Sequence, residues 1–370
     1  VRVLILGAGP AGLTVAETLR EHDEGVDITM VSSEPYAPYS PPAMADHFLT
    51  GRDETLFWKG HDVCQRLGVD YRQASSALRV EPGAHTVLFE GGGRLGYDRL
   101  VIASGSRLHA PVPGSALEGI ANFKSLSAAK SLVLRARRGE ARSAVIIGAG
   151  FIGVEVAILL AELGLRVTMV EGLDHVMPRM LDRETAAIVQ AELVRRGVDL
   201  RVATRAAAFA GDTHVEHVQL ESGEVLRADV YVAATGVKPN VELLADTGVE
   251  TRWGVIVDAH LRTSVADIYA VGDVAETVDR LTGERYVHAI FPNATEQGRV
   301  AALNLLGHDV CYEGAESMNS LKHVGLPIIA VGAVSGDDEL RWSNGSGLRK
   351  VFLTGGCIVG FRLAGDIRAA

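Results

Sequence analysis

Cysteine is scarce in this chain: Cys64, Cys311 and Cys357 are the three among 370 residues. They are widely spaced and form no C-x-x-C pair. That excludes a disulfide framework and argues against a structural zinc or an iron–sulfur cluster carried by the chain itself. Their plain reading is as small apolar residues. Aromatic residues are few, at 5%, which weighs against an aromatic-rich β-sandwich. A surplus of positive charge is missing. Lys and Arg number 36 against 46 Asp and Glu, a net charge of −10, so a general nucleic-acid binder is not expected. Long hydrophobic runs are missing too. The longest apolar stretch, Val145 to Val170, is broken by Glu155, Glu162 and Arg166 and is no membrane span. No secretory leader is legible before the first apolar segment, so the expected compartment is the cytoplasm. Both ends are abrupt and are expected to be trimmed. The twelve histidines show no H-x-E or H-x3-H spacing, and no metal site is expected. His288 and His323 are singled out for their positions, with packing or surface roles as the ordinary reading.

Glycine is abundant, at 41 residues. Its pattern organises the chain through an internal repeat. Val3-Leu4-Ile5-Leu6-Gly7-Ala8-Gly9-Pro10-Ala11-Gly12 recurs as Ala144-Val145-Ile146-Ile147-Gly148-Ala149-Gly150-Phe151-Ile152-Gly153. Each copy is an apolar run, then G-x-G-x-x-G, then a helical pattern. The apolar stripe is Leu13, Ala16 and Leu19 in the first copy and Val156, Leu159, Leu160 and Leu163 in the second. Each leads into a second apolar strand, at 27–31 and 166–170. These are two βαβ units, and the length suits two to three domains.

One G-x-G-x-x-G is weak evidence, but two in matched strand–helix contexts are strong. The first glycine permits the tight turn, the second lets the backbone approach a pyrophosphate, and the third lets helix and strand pack closely. The helix N-terminus offers N–H groups and a positive dipole end to phosphates. Glu171 follows the second strand of the second unit directly, where a carboxylate accepts from ribose hydroxyls. It would repel a 2′-phosphate, so this unit is expected to prefer NAD(H) over NADP(H). Arginines such as Arg179 stand near enough in sequence to fold back. In the first unit Ser32 aligns with Glu171, and Ser32, Ser33 or Glu34 is expected to serve the ribose.

Two further segments form a pair, Leu100 to Ser106 and Val230 to Gly236. Each is an apolar strand ending in a small hydroxyl residue and glycine: Ser104-Gly105 and Thr235-Gly236. A third strand ends in Gly272-Asp273, where the carboxylate can accept from a ribityl hydroxyl.

These motifs, in this order, resemble the FAD/NAD-linked pyridine nucleotide reductases over nearly the whole chain. The resemblance implies an α/β fold with two Rossmann-like dinucleotide-binding domains, the NAD domain inserted in the FAD domain, and a small α+β C-terminal domain. It implies FAD bound by residues 1–110 and 240–310, NAD(H) by 111–239, and an interface domain over 311–370, truncated where a helix would follow Ile367. For FAD it implicates Gly7, Gly9, Pro10, Ala11, Gly12, Ser33, Glu34, Pro42, Ser104, Gly105, Gly272, Asp273 and Ala294. The last lies in Phe291-Pro292-Asn293-Ala294-Thr295-Glu296-Gln297-Gly298, which would open a helix under the isoalloxazine. For NAD(H) it implicates Gly148, Gly150, Phe151, Ile152, Gly153, Glu155, Glu171 and Gly236, with Glu155 near the nicotinamide.

Within the family, the segment Pro35 to Met44 carries no redox cysteine, and a disulfide reductase is disfavoured because it needs a thiolate beside the flavin. Tyr39-Ser40-Pro41-Pro42 resembles the rubredoxin reductase and nitrite reductase branch. It also resembles the FAD-containing subunits of carbon monoxide dehydrogenase, phenylglyoxylate dehydrogenase and aldehyde oxidoreductase systems, which Met318 to Pro327 fits as well. The activity implied is hydride exchange between NAD(H) and FAD, with electrons passed to or from an iron–sulfur protein partner, as a subunit of a larger complex. The catalytic residue is left unassigned, since no side chain is needed as nucleophile. The alternatives are a free-standing NADH oxidase and a flavin-bound scaffold or redox sensor. A homo- or hetero-oligomer fits either way. The basic cluster Arg135, Arg137, Arg138 reads as a solvated helix end, or as a docking patch.

Overall fold

A computed structural model describes residues 1–321, 327–344 and 347–365. His323, most of the 322–327 stretch and the position of Ile367 lie outside the described residues.

The first apolar run forms the strand Arg2–Leu6, with Val3 to Leu6 all buried. Helix Pro10–His22 begins at the Gly9 cap with Pro10 in its first turn, where a missing N–H costs nothing, and buries Leu13, Ala16 and Leu19. Strand Asp27–Val31 follows. The sheet built on them has the order Ile268–Ala270, Arg99–Ile102, Arg2–Leu6, Asp27–Val31, Asp70–Arg72, all parallel. The second repeat builds a sheet of the same design. Its order is Ile120–Ala121, Val230–Ala233, Ser143–Ile147, Arg166–Val170, Asp199–Arg201, again all parallel. Both central strands are buried on two faces, which is why they read as unbroken apolar runs. The helix of the second unit, Phe151–Glu162, is apolar on nearly every side and buries Ala157 and Ile158 beyond the expected stripe.

The repeat runs further than the sequence reading followed it. Val69-Asp70-Tyr71-Arg72-Gln73-Ala74-Ser75 corresponds to Val198-Asp199-Leu200-Arg201-Val202-Ala203-Thr204. Ser32 N donates to Arg72 O and Glu171 N to Arg201 O, both at 2.9 Å, while Ser75 N and Thr204 N close on the carbonyls of Ser32 and Glu171, again at 2.9 Å. Ala74 and Ala203 both take a left-handed turn, with φ of 49° and 48°.

The chain divides into two compact units. One comprises Val1–His47, Arg52–Arg107 and Lys238–Glu316; the other comprises Phe48–Gly51, Leu108–Val237 and Ser317–Ala370. The second therefore contains a five-stranded antiparallel sheet ordered Met318–Leu321, Ile328–Gly332, Cys357–Gly365, Gly347–Thr354, Asp338–Asn344. Its central hairpin turns at Gly355-Gly356, both at positive φ (57° and 79°), as a two-residue turn between twisted strands demands. Strands Met318–Leu321 and Asp338–Asn344 carry too few apolar residues to have been picked out beforehand. One buried lysine ties this sheet to helix Arg183–Arg195. Lys350 Nζ lies 2.8 Å from Asp182, the helix cap, and 3.0 Å from both Glu184 and Glu339.

Candidate functional site

Each Gly-rich turn gives its three glycines different surroundings. Gly7 sits at φ +121°, and a Cβ there would lie 2.0 Å from the carbonyl oxygen of Ala103. A Cβ on Gly12 would lie 2.0 Å from the Gly7 carbonyl, so helix and turn are in direct backbone contact. Around Gly9 there is nothing within 4 Å. The second turn repeats this. Gly148 (φ +103°) meets Ala234 at 2.6 Å, Gly153 meets the Gly148 carbonyl at 2.2 Å, and Gly150 finds only one atom, at 3.8 Å. Gly9 and Gly150 cap their helices with the same backbone angles, φ −72° and ψ −176°. The open glycine, the N–H groups of the first turn and the dipole end of a helix more than ten residues long together suit a pyrophosphate in both units. Ala11 is buried, while Phe151 and Ile152 are half-buried at the start of their helix.

The strand ends flanking each turn differ. In the second unit Glu171 reaches back to its turn: Oε2 accepts from Ala149 N at 2.8 Å and Oε1 from Leu173 N at 2.9 Å. A carboxylate is thereby held beside the Gly-rich turn, where it could accept from ribose hydroxyls. In the first unit the equivalent Ser32 Oγ accepts from Glu34 N at 3.1 Å, and the Glu34 carboxylate accepts from Tyr39 OH. Ser33 is exposed, and Pro42 stands exposed in the short turn Pro41–Ala43.

A second cluster forms around the first turn. Gly272 (φ +75°) packs so closely that a Cβ would lie 2.9 Å from Ala11 Cβ and 3.7 Å from Ala294 Cβ. Its N–H donates to Gln297 Oε1 at 2.7 Å. Gly298 continues the contact, 2.6 Å from the Ala11 carbonyl by the same measure. Helices Pro10–His22 and Phe291–Leu305 are thus joined at small residues, which brings Gly9, Ala11, Gly272, Asp273 and Ala294 together. Asp273 accepts from Ser106 Oγ at 2.9 Å. Ser104 does not present a free hydroxyl: it donates to Asn240 O at 2.8 Å, and Asn240 returns a bond to Ser104 O. Gly105 turns the chain at φ +66° and accepts from Asn240 N. In the second unit Thr235 donates to His109 O, and Gly236 stands exposed beside it. Ser106, Asn240 and Gln297 were missed as partners. The signal for Gln297 was present, since Ala294, Gln297 and Gly298 share one helix face.

Glu155 lies just past the first turn of helix Phe151–Glu162, and burial pushes its carboxyl up to about 8. Cys64 is buried, and the same cause pushes its thiol up to about 11, far from a thiolate at neutral pH. His288 pairs with Asp279 (Nε2 to Oδ2, 2.7 Å), and its Nδ1 is buried without a partner. Of the basic cluster, Arg135 donates to Asp229 O, Arg137 to Phe48 O, and Arg138 pairs with Glu140. These bonds make a helix-end role the better account. Among the described residues no group of His, Cys, Asp and Glu could hold a metal ion, and no helix is long and apolar enough to cross a membrane.

This geometry has counterparts. Residues 1–298 match the family described as pyridine nucleotide-disulphide oxidoreductase. The chain is similar to rhodocoxin reductase of Rhodococcus erythropolis, 32% identical over 98% of this chain and 85% of that protein. It is similar to the epsilon subunit of the NADH-dependent phenylglyoxylate dehydrogenase of Aromatoleum evansii, 29% identical over 97% of this chain and 87% of that one. Among solved structures, the ferredoxin reductase for the CYP199A2 system of Rhodopseudomonas palustris matches with a TM-score of 0.86. It is 28% identical and covers 98% of this chain and 91% of its own.

Proposed function

The chain belongs to the pyridine nucleotide-disulphide oxidoreductase family, and from that premise we propose that it passes electrons between NAD(H) and a one-electron iron–sulfur protein partner. It is an FAD-dependent NAD(H) oxidoreductase. The observation that carries the reading is the doubled nucleotide unit, with an open glycine at each helix start. The first unit holds FAD, with Gly9 and the helix N-terminus at the pyrophosphate and Asp273, steadied by Ser106, as acceptor for a ribityl hydroxyl. The second holds NAD(H), with Gly150 at the pyrophosphate and Glu171 at the ribose. Bound FAD supplies the chemistry of accepting two electrons at once and releasing them singly. Burial raises the Glu155 carboxyl to about 8, which favours its protonated form, able to donate a hydrogen bond without placing a negative charge in the apolar helix.

The protonated, buried Cys64 favours a branch of the family that works without a redox-active disulfide. Similarity to a rhodocoxin reductase and to a dehydrogenase subunit supports a protein partner, and the latter supports membership of a larger complex. The test is an anaerobic absorbance titration with NADH, followed by mixing with an oxidised rubredoxin- or ferredoxin-type protein. Bleaching of the flavin band at one NADH per flavin, then reoxidation by the carrier, is expected. Reoxidation by oxygen alone at a comparable rate would favour a free-standing oxidase, and a flavin that NADH leaves oxidised would end the proposal.

A further inference from the structure

The two nucleotide units differ most where a ribose is read, and the difference is one of charge. The matched backbone bonds that equate Ser32 with Glu171 also equate Ser76 with Arg205. Glu90 N donates to Ser76 O and Glu221 N to Arg205 O, each at 2.9 Å. Two serines in the first unit thus become an acid and a base in the second.

Arg205 follows Thr204, whose N–H donates to the Glu171 carbonyl. Its side chain runs across Gly172. A Cβ built on that glycine would lie 3.3 Å from Arg205 Cγ and 3.8 Å from Nε. Arg205 therefore occupies the space into which a side chain at 172 would project, next to the ribose carboxylate. It is exposed, and its guanidinium makes no hydrogen bond or ion pair with the described residues. The nearby cations are engaged, Arg183 with Asp174 and Arg201 with Asp199 and Glu224. Glu171 has each of its oxygens on a backbone N–H.

A lone carboxylate at this strand end repels a 2′-phosphate. A guanidinium alongside changes the balance, because its planar fork matches phosphate oxygens and its charge offsets that of the acid. We infer that Arg205 supplies a cation for an adenosine 2′-phosphate, so that the second nucleotide site takes NADPH as well as NADH. This rests on reading that unit as the nicotinamide dinucleotide site, and it replaces the strict NAD(H) preference that Glu171 alone suggests. The first unit, whose dinucleotide carries no 2′-phosphate, has no cation at the equivalent place. Arg205 is a specificity residue, set apart from the reacting atoms.

The experiment is equilibrium binding to the flavin-loaded protein, by calorimetry, of NADPH, NADH, 2′,5′-ADP and 5′-ADP. Wild type is expected to bind all four. In Arg205→Ala the affinities for NADPH and 2′,5′-ADP should fall about tenfold or more, while those for NADH and 5′-ADP stay within about twofold, the pattern for loss of a charge-assisted phosphate contact. Arg205→Lys should restore part of the loss, and added salt should weaken NADPH more than NADH. Equal losses for all four ligands would overturn the inference, since Arg205 would then serve the adenine or diphosphate common to them. Binding of NADH without measurable NADPH in wild type would overturn it as well. Failure of all four ligands to bind wild type would instead bring down the nucleotide-site reading beneath it.

Discussion

At the scale of the residue, the Gly-rich turns separate what the fold needs from what a ligand needs. Gly7 is fixed by its positive φ and by the carbonyl of Ala103. Gly7→Ala should lower the stability of the ligand-free protein by about 3 kcal/mol or more, measured by urea denaturation. Gly9 has open space around it. Gly9→Ala should cost the ligand-free protein at most about 1 kcal/mol, as an exchanged helix cap, yet sharply reduce flavin retained on purification. Equal stability loss in both variants would contradict the division. Glu155 makes a second case. Its folded value is raised above the ordinary 4.5 to about 8, so the folded chain holds the proton more tightly than the unfolded one. That contribution is complete in acid and is lost as pH rises through this window. The Tm of wild type should fall more steeply from about pH 5 to about pH 9 than that of Glu155→Gln, followed by calorimetry. Parallel curves would place the carboxyl in water. Gly7, Gly12, Gly148 and Gly153 were legible from spacing alone because a backbone clash at each admits no other residue. The environment of Glu155 was not, because burial depends on side chains distant in sequence.

At the scale of the element, the C-terminal sheet is held to helix Arg183–Arg195 by a charge cluster rather than by apolar packing alone. Lys350 is 4% exposed, within reach of three carboxylates, and Arg341 pairs with Glu184 at its edge. Lys350→Met should destabilise the protein by about 1–3 kcal/mol in urea denaturation, since the half-buried Asp182 is left without its cation. A loss below about 1 kcal/mol would mean that Arg341 takes over. Strands Ile328–Gly332, Gly347–Thr354 and Cys357–Gly365 stand in the sequence as apolar runs, and Gly355-Gly356 between the last two marks their hairpin. The strand Asp338–Asn344 does not, because every residue in it is exposed and its order comes from pairing with Gly347–Thr354. Nor could Lys350 be found in advance, since its three partners lie in two other segments of the chain.

At the scale of the whole molecule, two sheets of one design should respond to different ligands. In hydrogen exchange, added FAD should slow the amides of Arg2–Leu6, Arg99–Ile102 and the start of Phe291–Leu305. Added NAD+ should slow those of Ser143–Ile147 and Phe151–Glu162, each by the population shift that binding imposes. The reverse pattern would exchange the two assignments. The duplication was visible in sequence through its first strands and glycines, where burial and backbone contact constrain residue type. It continues at the third strand, where Val69, Asp70, Arg72 and Ala74 recur as Val198, Asp199, Arg201 and Ala203 and matched main-chain hydrogen bonds preserve the shape. The left-handed turns at Ala74 and Ala203 survive there in near-identical form. One polypeptide thereby carries two copies of the same probe position. A spectroscopic label at either would report its own nucleotide site under one solvent and one temperature, each site calibrating the other.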